Sequence, residues 1–214
     1  NLGVRWEQFD VSAKGTSRGV PYEAENKTSN WSYQAGVIFK PVENASIYAS
    51  FADSATPPGS DVGEGSQSIN GTSATYDPQI TRNYEVGAKY DALNGALSLT
   101  AALFRTDTDN VRNDTGLGEI EIIPGTRRVD GFELGAAGRI GPVSLSGGYV
   151  YLDSEIRGDG DAGNRFPNTA KHNLSLWSNV TVTDRLSFGG GAYYTGKRYA
   201  DTGNLIAVPD YWRF

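Results

Sequence analysis

The sequence predicts an all-β protein, a transmembrane antiparallel β-barrel, and three observations support this. Apolar and polar residues alternate over segments of about ten residues, the length that a tilted strand needs to cross a bilayer. Short turns and long polar loops follow each other in regular succession along the chain. Aromatic residues make up 11% of the chain and cluster near segment ends, as in the interfacial belts of membrane barrels. The chain is therefore expected to lie in a membrane.

The bulk composition fits a barrel and argues against several other classes. Only 38% of the 214 residues are hydrophobic, and no segment has the roughly 18 consecutive apolar residues of a transmembrane helix. A barrel has this composition because only every second residue faces lipid. The formal net charge of −6 argues against nucleic acid as a partner, since that would need a basic surface. The sequence contains no cysteine, which excludes disulfides and thiolate-bound metals within it.

The alternation predicts nine strands and the opening of a tenth. The clearest hairpin turn is Leu93-Asn94-Gly95, because Asn-Gly between two alternating segments is a strong hairpin signal. Segments without alternation are predicted to be loops, namely 12–30, 53–79, 107–126 and 153–170. The predicted strands are Leu2–Val11, Trp31–Lys40, Ala45–Ala52, Thr81–Asp91, Ala96–Thr106, Arg127–Gly138, Val143–Leu152, Lys171–Val180 and Leu186–Arg198, and the tenth opens at Asp210–Phe214.

Nine or ten such strands are not expected to close a barrel by themselves. An open edge would leave backbone hydrogen-bonding groups unsatisfied in lipid, and bacterial single-chain barrels have even strand numbers. We therefore expect further strands of the same protein to flank the first and last strands. The ending Trp212-x-Phe214 resembles the aromatic end of a complete barrel, but Pro209 lies too close to it for a full spanning strand.

Seven segments carry a family resemblance: Phe39–Ser50, Asn83–Asp91, Leu99–Arg112, Arg128–Gly135, Gly147–Ser154, Gly189–Tyr199 and Val208–Phe214. They resemble the barrel of TonB-dependent siderophore receptors, most closely the catecholate-type ferric-siderophore branch. The similarity keeps chain order and extends over nearly the whole sequence. Residues 1–214 thus resemble the C-terminal portion of such a barrel, without its plug domain.

The resemblance implies a function as well as a fold. In this family a barrel of about 22 strands is plugged by an N-terminal domain, whose TonB box contacts the TonB-ExbB-ExbD complex. A ferric siderophore binds between the outer loops and the plug and is then imported. For this chain the resemblance implies a place in the bacterial outer membrane and a transporter that catalyses no reaction. It implies no cofactor, because ferric iron enters as part of the transported ligand.

A site for a ferric catecholate, a bulky aromatic trianion, should combine cationic groups with aromatic faces. By strand parity, Phe104, Arg127 and Tyr199 are predicted to face the barrel interior. The candidate ligand-binding residues are Phe104, Arg112, Arg127 and Tyr199.

Two arginines near the same loops are predicted to lie elsewhere. By parity Arg105 and Arg128 face outward or lie in loops. There the loop-base arginines have two alternative roles: they bind lipopolysaccharide phosphates, or they pair with Asp107, Asp109 and Asp130. Outer-membrane lipid and lipopolysaccharide are accordingly expected partners.

Three other motifs indicate different chemistry, and each is incomplete. Gly191–Arg198 nearly matches a P-loop but lacks the final Ser/Thr and falls on a predicted strand. Asp159–Asn164 resembles the start of a calcium loop, although Ala170 stands where a glutamate is expected. The only histidine, His172, has no Gly-x-Ser-x-Gly elbow to complete a serine triad and is predicted to be interfacial.

Several functional alternatives stay open at this point. The cargo could be cobalamin, another metal chelate or a glycan; an arginine-poor, aromatic-rich mouth would favour sugars. An outer-membrane barrel enzyme would use His172. A plugless adhesive barrel would need no energy supply.

Overall fold

The computed structural model describes residues 1–17, 20–57, 77–114, 120–158 and 161–214. Within these ranges the side chains of residues 13, 17, 20, 22, 24, 112–114 and 120–125 are not described. The strands are β1 Leu2–Ser17, β2 Val20–Val42, β3 Ala45–Thr56, β4 Gln79–Ala92, β5 Leu97–Asp114, β6 Ile120–Ile140, β7 Val143–Arg157, β8 His172–Thr183, β9 Leu186–Thr195, β10 Arg198–Tyr199, β11 Ala207–Val208 and β12 Tyr211–Arg213.

The main sheet is an antiparallel meander of ten strands in the order β1 to β9 followed by β12. Each strand from β1 to β9 pairs with its neighbours in sequence, while β10 and β11 form a small separate sheet. This arrangement confirms the predicted all-β antiparallel class. In the described ranges, no helix has the length and apolar character needed to cross a membrane.

Short connections gather at one end of the sheet, which we call the turn end; the other is the loop end. They join β2 to β3, β4 to β5, β6 to β7 and β8 to β9. Between β4 and β5 the chain forms a 3₁₀ turn over Leu93–Gly95, where Asn94 has φ 56° and Gly95 has φ 85°. These left-handed values suit Asn and Gly, so the predicted hairpin turn is confirmed.

The strands extend further toward the loop end than the sequence predicts. β1 extends to Ser17 and β2 begins at Val20, and the two strands are paired up to these residues. The predicted loop 12–30 is therefore wrong. β5 likewise continues to Asp114, β6 begins at Ile120, and β7 reaches Arg157. Beyond the membrane both faces of a strand can be polar, so the backbone pairing continues although the apolar alternation that marks a strand in the sequence has ended.

The structure also corrects the ninth strand. Leu186–Arg198 was expected to be continuous, but β9 ends at Thr195. The amide of Gly196 donates to the His172 carbonyl oxygen at 2.8 Å, and the chain then turns into the small sheet of β10 and β11. Strand parity therefore does not carry from β9 to Tyr199.

The register divides the main sheet into two faces. On the apolar face Leu103 lies opposite Val86 and Phe132, and the Leu103 side chain is 65% exposed on this sheet. Near the loop end this face carries an aromatic tier, with ring centroids 5.1 Å apart for Phe51 and Tyr84. The tier comprises Phe51, Tyr84, Phe132, Tyr149, Tyr151, His172, Tyr194 and Trp212. Its position corresponds to an interfacial aromatic belt.

The polar face carries large side chains over glycines. The ring of Tyr48 covers Gly87, and the ring of Phe104 covers Gly131; in both pairs a Cβ would overlap the ring. The Tyr48 hydroxyl donates to the Glu85 carboxylate. Close packing against glycine fixes these aromatic rings along the face that lines a barrel interior.

Candidate ligand-binding surface

Cationic side chains on the apolar face of β4 to β8 are bound to carboxylates. They form an ion-pair belt that begins two residues beyond the aromatic tier, on its loop-end side. Two pairs are bidentate: Arg105 with Asp130 at 2.7 and 3.1 Å, and Arg128 with Asp107 at 2.5 and 2.8 Å. The belt consists of Arg82–Asp109, Arg105–Asp130, Arg128–Asp107, Arg157–Glu155 and Lys171–Asp153.

The belt shows one of the two predicted roles of its arginines. Arg105 and Arg128 lie on the apolar face, as parity predicts, and both pair with the aspartates named in the sequence alternative. Hydrogen bonds from Arg128 hold the pKa of the Asp107 carboxyl below its ordinary value. The belt is therefore internally neutralised.

Two cations on the polar face from β6 onward, Arg127 and Arg213, lie against aromatic rings instead. The Cζ of Arg127 lies 5.1 Å from the Phe166 ring centroid, and the Cζ of Arg213 lies 4.8 Å from that of Tyr193. Within the described part of the chain neither makes an ion pair. The polar face of the earlier strands is mixed: Arg5 on β1 is bound to Glu7, whereas Nζ of Lys89 on β4 lies 5.9 Å from the Tyr48 ring centroid.

Two more cation–aromatic pairs lie in the loop between β9 and β12. The Cζ of Arg198 is 5.6 Å from the Tyr211 ring centroid, and Nζ of Lys197 is 5.3 Å from that of Tyr199. Neither cation makes an ion pair among the described residues. We call the four pairs Arg127–Phe166, Arg198–Tyr211, Arg213–Tyr193 and Lys197–Tyr199 the cation–aromatic surface.

Two donors of this surface are buried without an acceptor among the described residues: Nε of Arg127 and Nη1 of Arg198. Burial lowers the pKa of the Arg127 guanidinium from its ordinary value, although an arginine stays charged at any physiological pH. A buried guanidinium donor without a partner is unfavourable unless something accepts its hydrogen bond. The surface is therefore suited to a ligand that brings anionic oxygen atoms.

The loop between β7 and β8 builds one wall of this surface. The amide of Phe166 donates to Oγ of Ser154 at 3.3 Å, and the loop covers Ile156, which is 2% exposed. Ser154 and Ile156 both lie on the polar face of β7, where they pair with Val129 and Arg127 of β6, respectively. The loop thus folds over the interior face and places the Phe166 ring against Arg127.

The four predicted site residues do not all meet. Arg127 and Tyr199 belong to the cation–aromatic surface. Phe104 lies on the polar face opposite Gly131, four residues from Arg127 and so about 13 Å deeper along the strand. The backbone of Arg112 pairs with Ile122 in β5 and β6, but its side chain lies outside the described part of the structure.

Sequence reasoning missed Phe166, Tyr211, Tyr193 and Arg213 as members of the set, and it noted Arg198 without choosing it as a ligand contact. Arg198 stood in a basic-aromatic run with Lys197 and Tyr199, which is a usable signal. The sequence signal for Phe166 is weaker: it is a lone aromatic residue before Pro167 in a polar loop. The contacts themselves depend on how two loops fold, which strand parity does not describe.

The remaining sequence motifs are the possible calcium loop and His172. In the described ranges, no group of three or more His, Cys, Asp or Glu residues could hold a metal ion, and residues 159 and 160 of the possible calcium loop lie outside those ranges. The Nδ1 of His172 lies 2.7 Å from the Tyr149 hydroxyl, within the aromatic tier. His172 thus lies within the aromatic tier, and its position at the membrane interface stays a prediction.

The chain matches the family model described as TonB dependent receptor-like, beta-barrel, over residues 1–214. It is 39% identical to the probable TonB-dependent siderophore receptor PiuA of Acinetobacter baumannii, over 100% of this chain and 31% of that protein. It is 33% identical to the catecholate siderophore receptor Fiu of Escherichia coli, over 92% of this chain and 28% of that protein. The chain thus spans about a third of the length of these relatives.

Solved structures show the same likeness. The crystal structure of the siderophore receptor PiuA from A. baumannii superposes with a TM-score of 0.87 at 39% identity, covering 99% of this chain and 33% of that one. The closed form of the ferric-catecholate import receptor Fiu from E. coli superposes with a TM-score of 0.77 at 30% identity, covering 99% of this chain and 34% of the Fiu chain.

Proposed function

Because this chain belongs to the TonB-dependent receptor β-barrel family, a family of outer-membrane transport receptors, we propose that it forms part of a receptor that imports a ferric siderophore. Energy would come from the TonB-ExbB-ExbD complex, which acts on a plug domain not included in this sequence. Relatives that share 39% and 33% identity with the chain are named as siderophore receptors, which supports this cargo class.

The observation that carries the proposal is the cation–aromatic surface. Its cations are neutralised by no carboxylate among the described residues, and two of their nitrogen atoms are buried without an acceptor. An anionic ligand with planar rings satisfies both features, because its oxygens accept the guanidinium hydrogen bonds and its rings stack beside the aromatic side chains. A ferric catecholate has this chemistry. Arg127, Tyr199, Phe104 and Arg112 remain predicted ligand contacts, and Arg198 and Phe166 join them.

The membrane environment is assigned to the other face. The exposed apolar residues and the aromatic tier contact lipid and its interface. Lipopolysaccharide lies beside the ion-pair belt, but we assign the belt to pairing within the sheet. The belt needs no lipid phosphate, since each of its cations already has a carboxylate partner.

A binding and uptake experiment on the full-length receptor tests this function. Ferric catecholates, other ferric chelates, cobalamin and oligosaccharides are offered as a panel, and uptake is followed with and without the proton gradient. We expect energy-dependent uptake of a ferric catecholate. Uptake of cobalamin or a glycan instead would overturn the proposed cargo, and a plugless adhesive barrel would take up nothing.

A matched pair of variants ties the function to the surface. We expect Arg127→Gln to weaken ferric-chelate binding about 10- to 100-fold, since a hydrogen bond to a charged group contributes about 1.5–3 kcal/mol. Arg105→Gln removes an arginine of the ion-pair belt and should leave the affinity unchanged. Equal effects of the two substitutions would contradict the assigned site. Full uptake by His172→Ala would exclude an enzyme that depends on this histidine.

A further inference from the structure

Two loops at the loop end are joined by reciprocal hydrogen bonds. Nδ2 of Asn204 donates to the Arg165 carbonyl oxygen at 2.9 Å, and the Arg165 amide donates to Oδ1 of Asn204, also at 2.9 Å. The side chain of Asn204 thereby pairs with the backbone of Arg165 as a neighbouring strand would. We call this the amide clasp. It connects the β7–β8 loop to the β9–β12 loop, which are separated in sequence by β8 and β9.

Two further bonds support the same junction. Nδ2 of Asn164 donates to the Thr202 carbonyl oxygen at 3.0 Å. The Asn168 amide donates to the Tyr199 carbonyl oxygen at 2.7 Å. The two loops are therefore joined at three places along their length.

The turn that carries Asn204 has a backbone conformation and hydrogen bonds that direct the Asn204 side chain toward the other loop. Asn204 has φ 56°, a left-handed conformation that suits Asn or Gly. The Asp201 carboxylate accepts the amides of Leu205 at 3.0 Å and Ile206 at 2.7 Å. The turn is thus held from within, and the Asn204 amide group remains directed at the other loop.

The clasp stands between two halves of the cation–aromatic surface. On one side Arg165 directly precedes Phe166, whose ring lies against Arg127. On the other side the β9–β12 loop contains Arg198, which lies against Tyr211. A loop that must be ordered during binding lowers the affinity, because its conformational entropy is lost at that moment. Loops that are already joined avoid this loss.

We propose that Asn204 is a positioning residue that preassembles the ligand surface, joining the two loops so that Arg127 and Arg198 receive one anionic, ring-bearing ligand together. This inference rests on the proposed function. Asn204 does not contact the ligand; it acts through the position of Phe166 and of the β9–β12 loop.

The first test compares two substitutions at asparagines of the same conformation. Asn204→Gly keeps the left-handed backbone and removes the amide group. Asn94→Gly makes the same change at φ 56° in the turn between β4 and β5, at the opposite end of the sheet. In the ligand-free full-length receptor, Asn204→Gly should speed hydrogen exchange at the Arg165 and Asn168 amides, and Asn94→Gly should leave both unchanged. Unchanged exchange in Asn204→Gly would overturn the clasp.

The second test opens and recloses the junction. The triple variant Asn164→Cys, Thr202→Cys, Asn204→Gly removes three of the hydrogen bonds between the loops; residues 1–214 contain no other cysteine, and any cysteine elsewhere in the receptor is replaced by serine. Binding of a ferric catecholate is followed by fluorescence quenching. We expect the association rate to fall about tenfold while the dissociation rate changes little, because only the docked fraction of loops is competent to bind.

A short bifunctional thiol crosslinker should then restore the association rate. A misfolded variant would not recover in this way, so recovery distinguishes positioning from general damage. An unchanged rate before crosslinking, or no recovery afterwards, would overturn the inference while leaving the proposed function intact. If the unmodified receptor binds no ferric chelate, the proposed function itself fails, and this inference fails with it.

Discussion

The Arg128–Asp107 pair of the ion-pair belt should contribute measurably to stability, unlike most surface ion pairs. Its two hydrogen bonds span 2.5 and 2.8 Å, and its side chains are only 21% and 15% exposed. An exposed pair contributes about 0.2–1 kcal/mol, and bidentate geometry with reduced solvent screening raises that value. We therefore expect a coupling energy of about 1–2 kcal/mol.

The assay is a double-mutant cycle with Arg128→Ala, Asp107→Ala and the double variant. The free energy of unfolding is measured by urea titration of the full-length barrel in detergent micelles, and coupling is the departure from additivity. The control cycle uses Arg157 and Glu155, whose single 2.9 Å bond joins side chains that are 43% and 45% exposed. That pair should couple by less than about 0.5 kcal/mol.

The pH dependence of the coupling has a definite sign. Arg128 lowers the pKa of Asp107 in the folded protein, so the stabilisation is fully present above the ordinary carboxyl pKa of about 4. It is lost as the pH falls through the lower folded-state value. Coupling should be equal at pH 7 and pH 5. A loss between those values, or a coupling no larger than that of the control pair, would refute the reasoning.

Three other predictions concern packing, membrane exposure and a loop carboxylate. Gly131→Ala places a Cβ 2.6 Å from the Tyr151 carbonyl oxygen and should lower the free energy of unfolding by about 1–3 kcal/mol. The control Gly190→Ala has open space around its Cβ and should lower it little. Equal losses in the two variants would contradict this packing. Ala101→Lys on the apolar face should cost about 2–4 kcal/mol in lipid vesicles, and the neighbouring Thr100→Lys on the polar face should cost less; the reverse order would show that the faces are misassigned. Asp201→Asn should speed hydrogen exchange at the Leu205 and Ile206 amides at pH 7, because the charged wild-type carboxylate accepts hydrogen bonds from both, and these bonds lower its pKa. In the wild type the protection of the two amides is lost only as the pH falls through that lowered pKa. Unchanged exchange in the variant would contradict these two hydrogen bonds.

The membrane-spanning part of the fold is predictable because lipid imposes a period of two. Wherever one face meets lipid, as at Leu103 and Val86, apolar residues must alternate, and the sequence shows it. Short turns are equally predictable, since Asn94 and Gly95 accept the left-handed backbone that the turn between β4 and β5 requires. Strand ends are not predictable in this way. Between Val11 and Trp31 the β1–β2 hairpin continues where the apolar alternation no longer marks it.

The candidate site was predictable only where it lies on a regular strand. Parity placed Phe104 and Arg127 on the interior face because the register of β5 and β6 is continuous through both residues. Parity gives no basis for the placement of Tyr199, because the pairing of β9 ends before it, at Gly196. The contact between Phe166 and Arg127 arises from a loop without periodicity. Such contacts depend on hydrogen bonds between loops distant in sequence, which a local pattern does not encode.

The distribution of cations between the two faces follows from what each face meets. A guanidinium beside the lipid interface loses part of its hydration, so an unpaired charge there is costly and a cross-strand carboxylate offsets the cost. The belt pairs, including Arg105–Asp130, satisfy that requirement. The polar face meets water at the loop end, and a hydrated cation there needs no carboxylate partner. Arg127 and Arg198 nevertheless lie partly buried against aromatic rings, and each has a buried donor with no acceptor among the residues that the structure describes. Burial without neutralisation favours an anionic ligand over a purely structural role, which is why the interior surface, and not the more arginine-rich belt, is assigned to binding.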